Sequence, residues 1–453
     1  MMNYLTNFTN DFVEFEELPE TIILEPEQCD QALELSKQVG HETRQWQIYF
    51  QALALLSFEE WLRKREPELI IQKEQSSVLQ PQYANIIDAV CNLKVGDFKV
   101  CLIPTLSFAD EDVVIPRAVV DLPEFMAHFY VVVGIDDELD FAAIRGFIRH
   151  DQLVNYRSKL QPEADWNYQL PLVWFNRNND ELLLYLQCLD PIAIPLPEIP
   201  RNRQATLARM QTALLKILPQ LHNQPLWKVL TWEQGAVVLT TPDLLKWLYQ
   251  FLRENTVAVS NHLSDLLQIL TQQSVNVRRW LHNQMDEVMQ ELSWEVLALP
   301  SPLRGIEAVQ ELPVRLPLRR AEQNPSQDLE AILAEINRTH ELGIPASAGR
   351  AYRDLTLGVR LRLYAVIWSL LDNDGWRLLL ILKAIAGNEI SYSIRLRVSD
   401  RTEVLAEESL QFAGIDGYVF TQVEGGYEDK FLATITSVTG ETQTLPPFEF
   451  SRE

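Results

Sequence analysis

Four cysteines in 453 residues are too few and too scattered for a disulfide framework. Cys29, Cys91, Cys101 and Cys188 form no C-x-x-C pair, and no histidine cluster accompanies them, so no metal site is expected. Cys101 in "FKVCLIP" and Cys188 in "LLLYLQCLDP" sit in apolar runs and read as buried, reduced thiols. Positive charge is also scarce. Against 63 acidic residues stand 39 basic ones, a net charge of −24. A field of that sign repels phosphate backbones, which argues against nucleic acid and suits basic protein partners. Long apolar runs are missing: "YAVIWSLL" and "WRLLLIL" fall far short of the ~20 residues a membrane span needs. The opening "MMNYLTNFTNDFVEFEELPE" has neither a positive n-region nor an apolar h-region, so a cytoplasmic protein without membrane attachment is expected. The chain carries no Walker loop, dinucleotide fingerprint, H-E-x-x-H or G-x-S-x-G, and no cofactor is expected.

What is present is mostly architecture. A hydrophobic content of 47% over this length supports a large core and about two to four domains. Residues 1–20 carry acids and no base and read as a tail. Pro26 suits a first helical turn, and Ala32, Leu33, Leu35 and Ser36 begin a helical period. A second helix runs through Trp46, Phe50, Leu53, Leu56 and Trp61 until Pro67, with Lys64 and Arg65 near its end. From about residue 86 the period shortens. "DAVCNLKVGDFKVCLIP" reads as strand, Gly-Asp turn and strand. "VVIPRAVVDL", "FYVVVGI", "LDFAAIRGFI", "LVNY", "QLPLVW" and "ELLLYLQCL" continue as short β-rich pieces, which together suggest a small barrel or bent sheet.

"DPIAIPLPEIP" is the first boundary, since four prolines in it keep the chain extended. Helices follow to about residue 297, including one through "VNVRRWLHNQMDEVMQELSWEVL". Residues 298–350 read as a Pro-rich, locally basic linker with one amphipathic helix in "SQDLEAILAEINRTHELG". The last hundred residues alternate closely: Ile394, Leu396 and Val398 oppose Arg395 and Arg397, and "DNDG" marks a hairpin. Seven or so strands there predict an antiparallel β-sandwich. The predicted class is α+β and multidomain: 1–190 as a helical pair plus a β-barrel-like sheet, 191–297 helical, 298–350 linker, 351–453 sandwich.

Several clusters raise the question of a site. Asp136, Asp137, Glu138 and Asp140 in "VVVGIDDELDFAAIRGFI" fall between two apolar runs and read as a hairpin tip. Their spacing does not fit a Gly-pivoted calcium loop, so the alternative role is a partner-facing acidic knob. His150 beside Asp151, near Arg145 and Arg149, suggests a general base, but neighbours on a strand face opposite ways and no nucleophile motif completes the set. Asp97 and Lys99, with Asp88 upstream, match the acid-x-lysine pattern of metal-dependent nucleases. An amphipathic strand explains them more simply. Arg278, Arg279 and Trp280, with His282, group basic and aromatic residues on a predicted helix that would bind an anion or dock an acidic segment of the same chain. Arg350, Arg353, Arg360 and Arg362 form a second basic patch for an acidic partner, or a solvated sheet face. Trp46, Trp61, Trp174, Trp247, Trp368 and Trp376 fall at periodic apolar positions and predict core packing.

"FEEWL", "IRGFIRHDQL", "QLPLVWF", "LLLYLQCLDPIAIPLP", "VNVRRWLHN", "YRDLTLGVRLRLYAVIWSLL" and the closing "QVEGGYEDKFLATITSVTGETQTLPPFEFSRE" resemble a cyanobacterial protein family that carries a domain-of-unknown-function label. The resemblance spans nearly the whole chain. It implies a cytoplasmic protein whose genes lie near signalling genes, and it brings no catalytic residue with it. The function expected from the whole is non-enzymatic, an adaptor-like or regulatory interaction protein. The alternatives are a metal-dependent hydrolase using Asp88, Asp97 and Lys99, and a small-ligand sensor with its cavity beneath strands 98–187.

Overall fold

A computed structural model describes residues 21–39, 42–221, 224–254, 256–297, 324–370, 375–385, 393–411 and 417–451. Helix accounts for 41% and strand for 30%, so the mixed class expected from the sequence holds. Contacts divide the chain into two compact units, Met1–Asn255 and Thr256–Glu453. The acidic opening, the Pro-rich stretch 298–323 and the "DND" of the expected hairpin turn lie outside the described residues. No helix among those described is long and apolar enough to cross a membrane.

The first unit opens with strand β1 (Ile22–Ile23) and helices α1 (Pro26–Ser36) and α2 (Glu42–Arg65). Then come β2 (Ile71–Gln72), α3 (Pro81–Ala84), β3 (Val90–Val95), β4 (Phe98–Thr105), β5 (Asp112–Pro116), α4 (Arg117–Asp121), β6 (Phe129–Asp136) and β7 (Phe141–Arg149). It continues through α5 (His150–Tyr156), β8 (Asn167–Pro171), α6 (Asn179–Cys188), α7 (Arg203–Ile217), α8 (Leu226–Val229), α9 (Trp232–Leu239) and α10 (Pro242–Glu254). Six strands form an open half-barrel in the order β1-β7-β6-β4-β3-β2. Only β4 and β6 run parallel, Val100 facing Phe129, because residues 106–128 supply the crossover such a pair needs. One face packs on α2: Leu53, Phe58, Trp61 and Leu62 meet Val100, Leu102, Phe129, Val131 and Val133 in one core. Each such side chain contributes about 1.5–3 kcal/mol by leaving water. On the other face Cys101, Tyr130, Val132 and Ile148 are buried, and the Tyr130 hydroxyl donates to the Val119 carbonyl of α4 at 2.8 Å. Burial on both faces explains why "FYVVVGI" reads as a continuous apolar run.

Two expected strands are helices. "LVNY" lies in α5 and "ELLLYLQCL" in α6. Short apolar runs fit either period, and capping decides here: the Asn178 side chain accepts from the Asp180 N–H and opens α6. Leu182, Leu183 and Leu186 then share its buried stripe. Trp46 also departs from expectation: it is 56% exposed on α2, stacked on Phe50 and edge-on to Tyr49.

The second unit contains α11 (Val257–Thr271), β9 (Val275–Asn276), α12 (Glu287–Glu291), β10 (Glu295–Val296) and α13 (Pro325–His340). Its strands continue with β11 (Gly349–Thr356), β12 (Arg360–Ser369), β13 (Gly375–Ala384), β14 (Ser393–Ser399) and β15 (Val404–Gln411). The chain closes with β16 (Tyr418–Gly426), β17 (Lys430–Ser437), β18 (Thr442–Thr444) and β19 (Phe448–Glu449). Two sheets result, β10-β11-β12-β13-β16 and β15-β14-β17-β19-β9. Leu361, Leu363, Leu378 and Leu380 of the first share one core with Ile394, Leu396, Ala433 and Ile435 of the second. The opposite face of the first sheet packs on α13, where Leu329, Ile332 and Ile336 meet Tyr364, Val366 and Leu379. "VNVRRWLHN" is not the long helix expected: it forms β9 and a short 3-10 turn, Val277–His282, with α12 and β10 beyond. Asn283 in the left-handed region ends that turn, and the Asn276 side chain opens it.

Candidate functional site

Of the arginines that stand out in the sequence, Arg350 and Arg362 are paired within the second unit's own fold. Trp280 is fully buried, its indole N–H directed at the Met289 sulfur. A Cβ on Gly349 would come within 2.9 Å of the Trp280 backbone, so the turn rests directly on β11. Arg278 and Arg279 have no ion pair among the described residues, but their neighbour is a core anchor. Arg350 is buried and pairs with Glu330 of α13. Arg362 grips Asp354 through two N–H bonds of 2.6 and 2.7 Å, and that carboxylate raises its pKa further. Strand alternation places Arg350, Arg360 and Arg362 on the face opposite the shared core, whereas Arg353 has the parity of core residues Ala351 and Leu355. The four arginines therefore do not form one patch.

Asp88, Asp97 and Lys99 do not converge. Asp88 precedes β3 and is held by Arg44 at 2.6 Å, while Asp97 lies in the turn beyond the strand's other end. Six strand residues at ~3.3 Å each separate them, too far for one hydrated magnesium ion. Among the described residues no group of three or more His, Cys, Asp or Glu is placed to hold a metal ion. Lys99 instead faces Lys94 across the β3–β4 ladder.

His150 does not lie on a strand. It begins α5, is buried, and lies 3.4 Å from the Tyr130 hydroxyl with its pKa lowered by burial. Asp151 turns away to Arg149, which donates to both its oxygens at 3.0 and 2.7 Å. No His–Asp dyad forms. Arg145 is likewise committed, donating to the carbonyls of Ser107, Phe108 and Asp110 and so tying down the loop after β4.

The acidic hairpin tip is built as expected. β6 ends at Asp136 and β7 begins at Phe141, with Asp140 in the left-handed region at φ 51°. The Asp136 carboxylate accepts from the Leu139 N–H and shapes the turn. Asp137, Glu138 and Asp140 are exposed and have no ion pair among the described residues. Leu139, between them, is 62% exposed. Apolar surface continues beside it. β1 pairs Ile23 with Phe141, and Ile23 is itself 62% exposed. The Tyr49 hydroxyl, pushed up to about 12 by burial first and then by neighbouring groups, feels Asp137 and Asp140, and the Tyr49 ring stands edge-on to exposed Trp46. Sequence reasoning found the acids but missed their apolar neighbours, since Trp46 looks like a core residue from its spacing and Ile23 lies before the first helical period.

These features define a mixed helix-and-strand protein of two units, with exposed Leu139 among the carboxylates of Asp137, Glu138 and Asp140, unpaired among the described residues, at the β6–β7 turn. The family model for the protein of unknown function DUF1822 matches residues 22–444, and the chain belongs to that family. No curated protein matches the chain.

Proposed function

We propose that this protein is a non-enzymatic interaction protein of the adaptor or regulatory kind, and that the β6–β7 tip docks a basic, amphipathic segment of a protein partner. The observation that carries the reading is exposed Leu139 set among three carboxylates with no ion pair in the described fold. A rim of one charge sign around apolar side chains is what a partner of opposite sign reads: charge steers the encounter and apolar burial holds it. The net charge of −24 extends the steering field. In this reading the half-barrel and the paired sheets, a barrel-like domain and a β-sandwich, are rigid scaffolds that present such surfaces.

The test is affinity capture from the source lysate at low and high salt with the wild-type chain and with the triple variant Asp137→Lys, Glu138→Lys, Leu139→Ser. A stoichiometric partner, weakened by salt and lost with the triple variant, is the expected result. A partner set unchanged by the variant, or a wild-type chain recovered alone, rules the reading out.

A further inference from the structure

We propose that the face shared by β3 and β4 is a binding site for a small phosphate-class oxyanion, inorganic phosphate or a phosphomonoester. Lys94 and Lys99 are directly opposed in the antiparallel register. Their side chains emerge on the same face, where like charges repel. Neither ammonium has a carboxylate within ion-pairing distance among the described residues, in a chain with 63 acidic side chains against 39 basic. Acids to neutralise the pair are abundant, yet none forms an ion pair with it among the described residues.

The pair lines a concavity of about 280 Å³ with Gln75, Gln80, Tyr83 and Asn92, and no carboxylate is in its wall. Asn92 sits at φ 58°, where the β3–β4 register shifts between Val90 and Leu93. Such bulges re-aim a side chain. The amides of Gln75 and Asn92 have no hydrogen-bond partner among the described residues. Gln80 forms a fixed wall, donating to the Glu74 carbonyl and accepting from Gln82. Tyr83 is partly buried and feels Asp243 and Glu124, but Glu124 is already taken up by Arg203 through two 2.8 Å bonds.

Behind the pair, His128 Nδ1 accepts the Lys99 N–H at 2.8 Å. Burial, and then the charge of Lys99, hold that ring's pKa at about 4, so the ring is neutral at pH 7 and adds no charge of its own beside Lys99. Two ammonium groups meet the charge of roughly −1.5 to −2 that a phosphomonoester carries at neutral pH. A small anion responds to this local potential, whereas a polyanion meets the repulsive field of the whole chain.

The experiment is a titration of the intact chain with inorganic phosphate at constant ionic strength, followed by amide NMR, with acetate as the control anion. The expected result is saturable shifts at Asn92, Lys94 and Lys99, at least about tenfold weaker with acetate. Lys94→Gln/Lys99→Gln should lose at least about tenfold in affinity, and Lys94→Arg/Lys99→Arg should retain binding. Absence of shifts, an equal response to acetate, or undiminished binding by the folded glutamine variant overturns the proposal.

Discussion

The two units treat charge differently. In the second, buried charge is answered inside the fold. Asp265 of α11 accepts from Arg397 at 2.8 Å and Ser399 at 2.6 Å, which ties that helix to β14. Asp328 of α13 accepts from Lys383 at 2.6 Å and Tyr364 at 2.7 Å, which ties that helix to the other sheet. In the first unit, two hairpins of one sheet carry charge that the described fold does not answer. Because β4 and β6 run parallel, the Lys94–Lys99 pair at the start of β4 and the acidic tip after β6 lie at opposite ends of that sheet. The difference teaches that conspicuous charge is a poor guide to function. Arg350 and Arg362 of the second unit's arginine-rich strands are where charge serves packing, and two plain lysines of the first are where it is left over.

The comparison is broken most forcefully in the second unit. Asp265→Ala removes a nearly buried carboxylate that pairs the partly buried Arg397 and accepts from Ser399, and the expected loss is about 4 kcal/mol of that unit's stability by denaturant unfolding. A loss below about 1 kcal/mol would show that Asp265 does not anchor α11. Asp328→Ala leaves Lys383 without its carboxylate and the Tyr364 hydroxyl without its acceptor, for an expected loss of about 3 kcal/mol. The Asp328→Asn variant should recover part of this, since it can still accept from Tyr364.

In the first unit, pH gives a smaller handle. His128 is held at about 4 in the fold against an ordinary value near 6.5. The unfolded chain therefore takes up the proton first. Stability contributed by the neutral ring is complete above pH 6.5 and declines as pH falls toward 4, by about 2 kcal/mol at this partly hydrated site. His128→Gln should flatten that part of the stability profile, and an unchanged slope would place the titration elsewhere.

Much of the frame is legible in the residues. The Gly-Asp turn of "KVGDFK" and the alternation of "SIRLRVS" give the hairpin β3–β4 and the strand β14 directly. Apolar runs as short as these fit either period, which is why α5 and α6 read as strands. The candidate sites are less legible because they depend on pairing. That Lys94 meets Lys99 is a matter of register, and register follows from the turn and the bulge rather than from composition. That Asp88 and Asp97 stand apart follows from the same ladder. The acidic tip is visible at once, but its apolar flank comes from β1 and α2, more than seventy residues away in sequence.

The most direct measurement is thermal unfolding of Lys94→Gln/Lys99→Gln beside the wild type, without and then with phosphate. If these charges await a ligand, removing them relieves repulsion, and the variant in phosphate-free buffer is as stable as the wild type or more so by about 0.5 kcal/mol. Phosphate then raises the melting temperature of the wild type and leaves the variant where it was. A variant that melts lower without phosphate, or that gains as much from phosphate as the wild type, would show that the lysines serve the fold and would remove the distinction between the two units.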